Sequence, residues 1–544
     1  FKGDPLEVLI AKQMAGPKIA DRAPATPRDL ANLVDSMLDP DPVNRPSAQS
    51  VSYVLHQNAN PSQAIQSTDA WLSNEAYLDD AFIAREHELA ELAHGFEQAS
   101  EGVARVIEVL GPSGIGKSTL IKHFLDSHIT DGRALVLEGR CLPNEAIPYK
   151  AFDAVVNELT NFCLNMPDSV ASQLLSSRDA ASLALLFPEL KRVNAFAAVA
   201  ANAPRIADPR TLRQAGFNAL GEIIRNIAQE HPIILWIDDI QWADSDSAAL
   251  FESLLADLRD APILFLFSRR PDAEIGENEF LDVIGKVPVQ QKAGLPLAPL
   301  DPGHCRALVE SILEQQASHF AGMNEPVIDH IVGQAAGLPY LLSELAHFVK
   351  RQGSKLEAAE NIDPGQSILT DRLSTLTLEN SVLVELAAVA TIPLAPEVIL
   401  SAAETVQRYR LRDLCGLRLL KVVSRGQQQV LQIYHDHLRE FVLSGMSPTR
   451  LMQRHASLLE VMEEYGDFEP EAILPHAQAA NDAKRTRTHA IHAAERAEEA
   501  LAFEQAATFY GMALETYSGD SQPVELLVDY ADSLANAGRS KLAA

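Results

Sequence analysis

The run VIEVLGPSGIGKSTLIKHFL constrains this chain more than any other stretch. Gly111, Gly116, Lys117 and Ser118 satisfy the spacing GxxxxGK[ST] without deviation. An apolar run ends at Leu110 and an amphipathic run follows the loop, so the order reads strand, glycine-rich turn, helix. Each residue type has a physical reason to be there. The glycines let the backbone turn so that its N–H groups converge on phosphate oxygens. A helix opening near Lys117 aims the positive end of its dipole at the same place. The Lys117 ammonium can reach the outer phosphates, and the Ser118 hydroxyl suits Mg²⁺. Gly111, Pro112, Ser113, Gly114, Ile115, Gly116, Lys117, Ser118 and Thr119 therefore form the expected cradle for the phosphates of ATP or ADP.

Such a cradle needs an acid at the end of another strand. PIILWIDDIQWADSDSAALFESLL supplies it: an apolar run from Ile233 to Ile237 leads into Asp238 and Asp239. Asp238 is expected in the Mg²⁺ shell, and Asp239 is expected to orient or deprotonate an attacking water. Two adjacent carboxylates are costly unless a cation stands nearby. Asp244, just downstream, is placed to cap the next helix. A further strand, APILFLFSRRPD, ends in Ser268, Arg269 and Arg270, and Arg270 is the cation expected beside the terminal phosphate.

The chain has 544 residues, too many for one core, and at roughly 100–200 residues per domain it divides into several. No apolar run approaches the ~18 residues that span a bilayer, so no membrane role is expected. The cysteines, Cys141, Cys163, Cys305 and Cys415, are scattered and form no CxxC pair, which argues against a disulfide framework or zinc site and fits a reducing cytoplasm. A formal net charge of −29 repels nucleic-acid backbones except where a local basic patch overrides it. The first residue is Phe1, so a fragment of a longer protein is expected.

Short apolar runs alternate with amphipathic stretches over 79–290, which predicts a P-loop parallel-sheet NTPase core, with strands at Arg105–Leu110, Ala134–Glu138, Ile233–Ile237 and Ile263–Phe267. Residues 291–360 read as a helical lid. Residues 361–445 contain LLKVVSRGQQQVLQIY, two apolar runs around a Gly-containing turn, which reads as a hairpin. Residues 446–544 are Ala-rich and helical, and ALAFEQAATFYGMALE is similar to a tetratricopeptide unit; a plain helical bundle is the alternative. The fold class expected is multidomain α/β plus all-α.

The phosphate loop, IILWIDDIQWAD and LFLFSRRPD together resemble the signal-transduction ATPases with numerous domains (STAND), a group of AAA-related P-loop ATPases. FIAREHELAEL resembles that family's hhGRExE motif over the nucleotide base, with Arg85, Glu86 and Glu88 matching and Ala84 where the family prefers Gly. EGRCLPNEAIPYKAF resembles the stretch after the family's second strand. AAGLPYLLSEL resembles its GxP lid motif, which implies that Pro339 packs on adenine. IYHDHLREFVL resembles the HD signature of its winged helix, which implies that His435 contacts the ADP β-phosphate; read from the residues alone, a lone His before an acid is as readily structural. The resemblance implies a switch in which ADP holds lid and winged helix closed, ATP opens them, and slow hydrolysis resets the state.

Upstream, FKGDPLEVLIAKQMAG and PRDLANLVDSMLDPDPVNRPSA resemble the last helices of a Ser/Thr protein kinase, with Arg45 at the arginine that pairs with the end of the activation segment. The glycine-rich loop, the catalytic lysine and the HRD and DFG aspartates are not in this chain, so no transfer of phosphate to Ser or Thr is expected from it. The expectation is a kinase–ATPase fusion carrying ATP, with protein partners on its C-terminal helical array. The weaker alternatives are a DNA-binding, origin-recognition-like ATPase using the basic run QRYRLRDLCGLRLLKVVSR, and a scaffold that binds nucleotide without hydrolysing it.

Overall fold

The computed structural model describes residues 82–130, 132–143, 146–175, 180–201, 207–271, 276, 278–314, 325–352, 369–370, 372–405, 409–425, 428–517 and 523–543. The kinase-like segment 1–56 and the linker 57–78 lie outside the described residues.

The principal elements of the core are α1 (Glu86–Ser100), β1 (Arg105–Leu110), α2 (Lys117–Thr130), β2 (Leu135–Arg140), α3 (Lys150–Leu164), α4 (Pro209–Ala228), β3 (Ile233–Asp238), α5 (Ser245–Asp257), β4 (Ile263–Arg269) and β5 (Lys292–Pro296). The strands form one parallel sheet in the order β2-β3-β4-β1-β5. The interior strand β3 is buried along its whole length, which is why IILWID reads as an unbroken apolar run rather than an alternating one. Its side chains still divide between two faces. Ile233, Leu235 and Ile237 join the core made with α3, α4 and α5, while Ile234 and Trp236 join Leu92, Ile121 and Phe124 of α1 and α2. Asp244 caps α5 as expected, accepting from Ser247 N at 2.7 Å.

The observed strands follow the expected apolar runs, with β2 lying one residue later at its start and reaching Arg140. β5 carries no such run: it is an edge strand, mostly exposed, paired only with β1 and anchored by Leu295 against the core.

Three helices follow the core: α6 (Pro302–Glu314), α7 (Glu325–Ala335) and α8 (Pro339–Gln352). They close around their own cluster, including Val309, Ile312, Ile331, Leu342 and Ala346. Next come α9 (Leu378–Val389), α10 (Pro396–Ala402), α11 (Tyr409–Gly416), the antiparallel pair β6 (Leu420–Arg425) and β7 (Gln428–Ile433), and α12 (Asp436–Ser444). The hairpin expected from its turn signal is therefore present, and Leu394 adds an antiparallel bridge to Leu431. The remaining principal helices are α13 (Pro448–Tyr465), α14 (Pro470–Ala479), α15 (Ala483–Glu499), α16 (Phe503–Glu515) and α17 (Val524–Asn536). Alanines set their close approach: Ala490, Ala493, Ala494, Ala497, Ala506 and Ala513 are fully buried. The helices from α14 to α17 share a continuous apolar core with α3, α4 and α5, so they pack back on the sheet domain.

Candidate functional site

The sheet order puts the loop after β1 and the acid end of β3 on the same carboxyl edge, one strand apart. The loop turns at Gly114 and Gly116, both with positive φ, and α2 begins at Lys117. The buried Lys117 donates to the carbonyls of Gly111 (2.8 Å) and Pro112 (3.1 Å). Ser118 Oγ donates to Asp238 Oδ2 at 2.8 Å. Ser268, at the end of β4 and fully buried, donates to Asp238 Oδ1 and accepts from Asp239 N at 3.0 Å. Asp238 is thus fixed from both sides.

Asp239 stands in the left-handed region (φ 59), which an aspartate tolerates better than most residues. Burial and the neighbouring Asp238 charge raise its pKa above the usual carboxylate range, with Arg140 and a hydrogen bond from Gln241 pulling the other way. The cation that two adjacent acids require is Arg140, at the end of β2. Its Nη2 lies 3.3 Å from Asp239 Oδ2 and 3.2 Å from Asp436 Oδ2, and its Nε is 3.9 Å from Asp238 Oδ2.

Lys117, Ser118, Arg140, Asp238, Asp239 and Asp436 line a cavity of about 620 Å³. One end is mostly apolar, bordered by Phe82, Ile83, Leu300, Leu308 and Pro339, and suits a flat ring. Arg85 stands there too, held by Glu88 (2.8 Å) and by the carbonyl of Ala298 (2.7 Å). Tyr340, next to Pro339, donates its backbone N–H to Gly114 O at 3.2 Å, which ties α8 to the phosphate loop. The helix–hairpin segment adds Arg418, Lys421, Tyr434, His435, Asp436 and Arg439 to the lining. Burial, with Arg140 adding to it, pushes Lys421 down to about 8.

His435 is the N-cap of α12. Its Nδ1 accepts from His437 N at 3.2 Å, so the neutral ring keeps its proton on Nε2 as a donor. Burial drives its pKa well below the ordinary histidine value. Tyr340 stacks on it with ring centroids 3.9 Å apart. Lys117, Ser118, Asp238, Asp239, Arg85, Pro339 and His435 are therefore brought together at one cavity. Arg270 is not among its lining residues; it pairs with Glu440 of α12 at 3.2 Å.

The basic run considered for nucleic acid is engaged within the protein only in part, and Arg412 stays exposed. Arg410 pairs with Glu379, Arg418 donates to Tyr434 Oη, Lys421 faces the cavity, and Arg408 lies outside the described residues. Sequence reading missed Arg140, Ser268, Tyr340 and Lys421. Arg140 lies just past the expected strand end at Glu138, and Lys421 reads only as part of the basic run; neither reading places them at the phosphate site.

The residues fit a magnesium ion. A hydroxyl and a carboxylate oxygen already within hydrogen-bonding distance are a pair that one cation can share, and Mg²⁺ takes most of its other ligands from phosphate and water. Among the described residues no cluster of three or more His, Cys, Asp or Glu side chains offers a separate metal cage, and no helix is long and apolar enough to cross a membrane.

Residues 81–266 match the AAA ATPase domain family. A curated protein of Rhizobium meliloti (strain 1021), itself described only as uncharacterized, is 22% identical over 404 residues; the match covers 70% of this chain and 37% of that protein. The chain thus spans little more than a third of the length of this curated relative. Among solved structures, a STAND protein with a tetratricopeptide repeat sensor from Pyrococcus horikoshii is 16% identical with a TM-score of 0.42, covering 85% of this chain and 63% of that one. Cdc6p from Pyrobaculum aerophilum is 14% identical with a TM-score of 0.35, covering 73% of this chain and 98% of that one. The parallel sheet and its phosphate loop are those of a P-loop nucleotide-binding core, and it is this core that matches the AAA ATPase domain model.

Proposed function

We propose that the chain is a nucleotide-operated switch of the STAND type, cycling between ADP and ATP with slow hydrolysis. The observation that carries this reading is that one cavity is walled by the sheet domain, by α8 of the lid and by the helix–hairpin segment. A ligand filling it bonds to all three parts, so its identity biases how they sit. In this reading the loop Gly111–Thr119 and Lys117 hold the phosphates, and Arg85 and Pro339 border the base. His435 donates Nε2–H to a phosphate, and Asp239 orients the attacking water. Ser118 and Asp238 hold Mg²⁺, which supplies charge neutralisation at the outer phosphates. Arg270 acts on the terminal phosphate only if its bond to Glu440 is released.

The helix–hairpin segment is read as the winged helix and the C-terminal helices as a tetratricopeptide-like platform for protein partners. Residues 1–56 are read as the end of a Ser/Thr kinase domain, making the parent protein a kinase–ATPase regulator. The test is the nucleotide carried by the purified protein, beside Lys117→Ala. ADP retained by the wild type, with binding weakened by about 2–5 kcal/mol in the variant, is the expected result. An empty wild type that binds and turns over ATP freely sinks the switch and leaves a constitutive ATPase.

A further inference from the structure

Arg140 joins acids that belong to different parts of the molecule. Asp238 and Asp239 end a strand of the sheet domain; Asp436 opens α12 in the helix–hairpin segment. Both of its close contacts, 3.3 Å to Asp239 and 3.2 Å to Asp436, use Nη2. Its Nε is buried and has no hydrogen-bond partner. A guanidinium has five N–H donors in a planar fork suited to a phosphate, and the Arg140 side chain is 37% exposed where it lines the cavity, so an entering anion can reach it.

We propose, on the nucleotide reading above, that Arg140 is a positioning residue that exchanges Asp436 for the terminal phosphate of a nucleoside triphosphate. With a diphosphate bound, Arg140 holds Asp436 and the helix–hairpin segment stays against the sheet domain. A terminal phosphate draws the guanidinium toward itself, because an arginine–phosphate pair is bidentate and charge-assisted. Asp436 then loses its closest cation while an anion arrives beside it, and the weakened attraction favours departure of α12. Lys421, on β6 in the same wall, adds positive charge beside these acids and keeps the region attractive to phosphate.

The experiment measures the affinities of ADP and of a slowly hydrolysed ATP analogue for wild type, Arg140→Ala, Asp436→Asn and the double variant. Either single substitution is expected to weaken ADP about tenfold or more, and the second to add little in the presence of the first. Asp436→Asn is expected to spare the triphosphate, so the preference for ADP narrows by a similar factor. A residue that merely supports the fold would change both nucleotides alike. If Arg140→Ala does not fold, Arg140→Lys keeps the charge, loses the fork and is scored the same way. Additive losses for ADP, or an Asp436→Asn variant that weakens both nucleotides equally, overturn the exchange while leaving the switch standing. A wild type that binds neither nucleotide overturns both.

Discussion

At the residue scale the site contains a local misfit. Ala84 has φ 65 and Arg85 has φ 77, two consecutive left-handed residues at the start of α1. This conformation sets the Arg85 side chain beside the phosphate loop, its Nη2 donating to Ala298 O and, at 3.5 Å, to Ile115 O. A Cβ in this region costs roughly 1–2 kcal/mol, and glycine avoids it at the expense of a more flexible unfolded chain. Ala84→Gly is therefore expected to raise stability by about 0.5–1 kcal/mol without weakening nucleotide binding. Thermal melting of the variant beside the wild type reads the first, and nucleotide titration the second. An unchanged or lower melting temperature would mean that the backbone there is not strained.

At the scale of elements, Gly337 is where the helical segment α6–α8 meets the sheet domain. Its φ is +77, and its carbonyl accepts from Leu300 N at 2.8 Å. A Cβ would stand 2.6 Å from Leu300 O and 2.7 Å from Pro299 Cβ, and the carbonyl is backbone that cannot swing aside. Gly337→Ala should cost about 2–3 kcal/mol and loosen α8, so nucleotide is lost faster while the phosphate loop stays intact. Dissociation of a fluorescent nucleotide, followed with the melting temperature, checks both halves; unchanged dissociation would detach the lid from nucleotide retention. This junction also shows what was legible in sequence. The phosphate loop, the β3 acids, the Asp244 cap and the hairpin are encoded by neighbours in the chain, through spacing, period and turn chemistry. Arg140 and Ser268 acquire their roles only when β2, β3 and β4 lie side by side, and one-dimensional pattern does not set strand order. β5 was missed because KAGLP has neither an apolar run nor alternation. Arg270 pairs with Glu440 here, and an arginine at a strand end looks the same in sequence whether it meets a phosphate or a carboxylate.

At the scale of the molecule, the C-terminal helices are not a free appendage. Tyr149, buried in α3's approach, donates its hydroxyl to Leu501 O at 2.9 Å. Asp246, in the first turn of α5, accepts from Gln505 N of α16 at 3.0 Å and pairs with Arg213 of α4 at 3.3 Å. The same guanidinium lies over the Phe503 ring, 5.2 Å from its centroid. Burial, with Asp244 and Glu504 adding negative charge, raises Asp246 from 3.8 to about 7, against the pull of Gln505 N–H and Arg213. The sign follows from linkage. A carboxyl raised on docking binds its proton more readily in the docked form, so ionising it costs stability, and that cost grows as pH rises from 3.8 to about 7 and persists above. Asp246→Asn keeps an oxygen for Gln505 N–H and removes the titration. Moving from pH 6 to pH 8.5, the balance between variant and wild type should shift toward the variant by about 1 kcal/mol. Hydrogen exchange of the Leu501–Ala506 backbone, compared between the two proteins at each pH, isolates this term because intrinsic exchange rates cancel. A difference that stays constant across that range would mean Asp246 is ionised whether docked or not, and Arg213 would then account for its whole stabilisation.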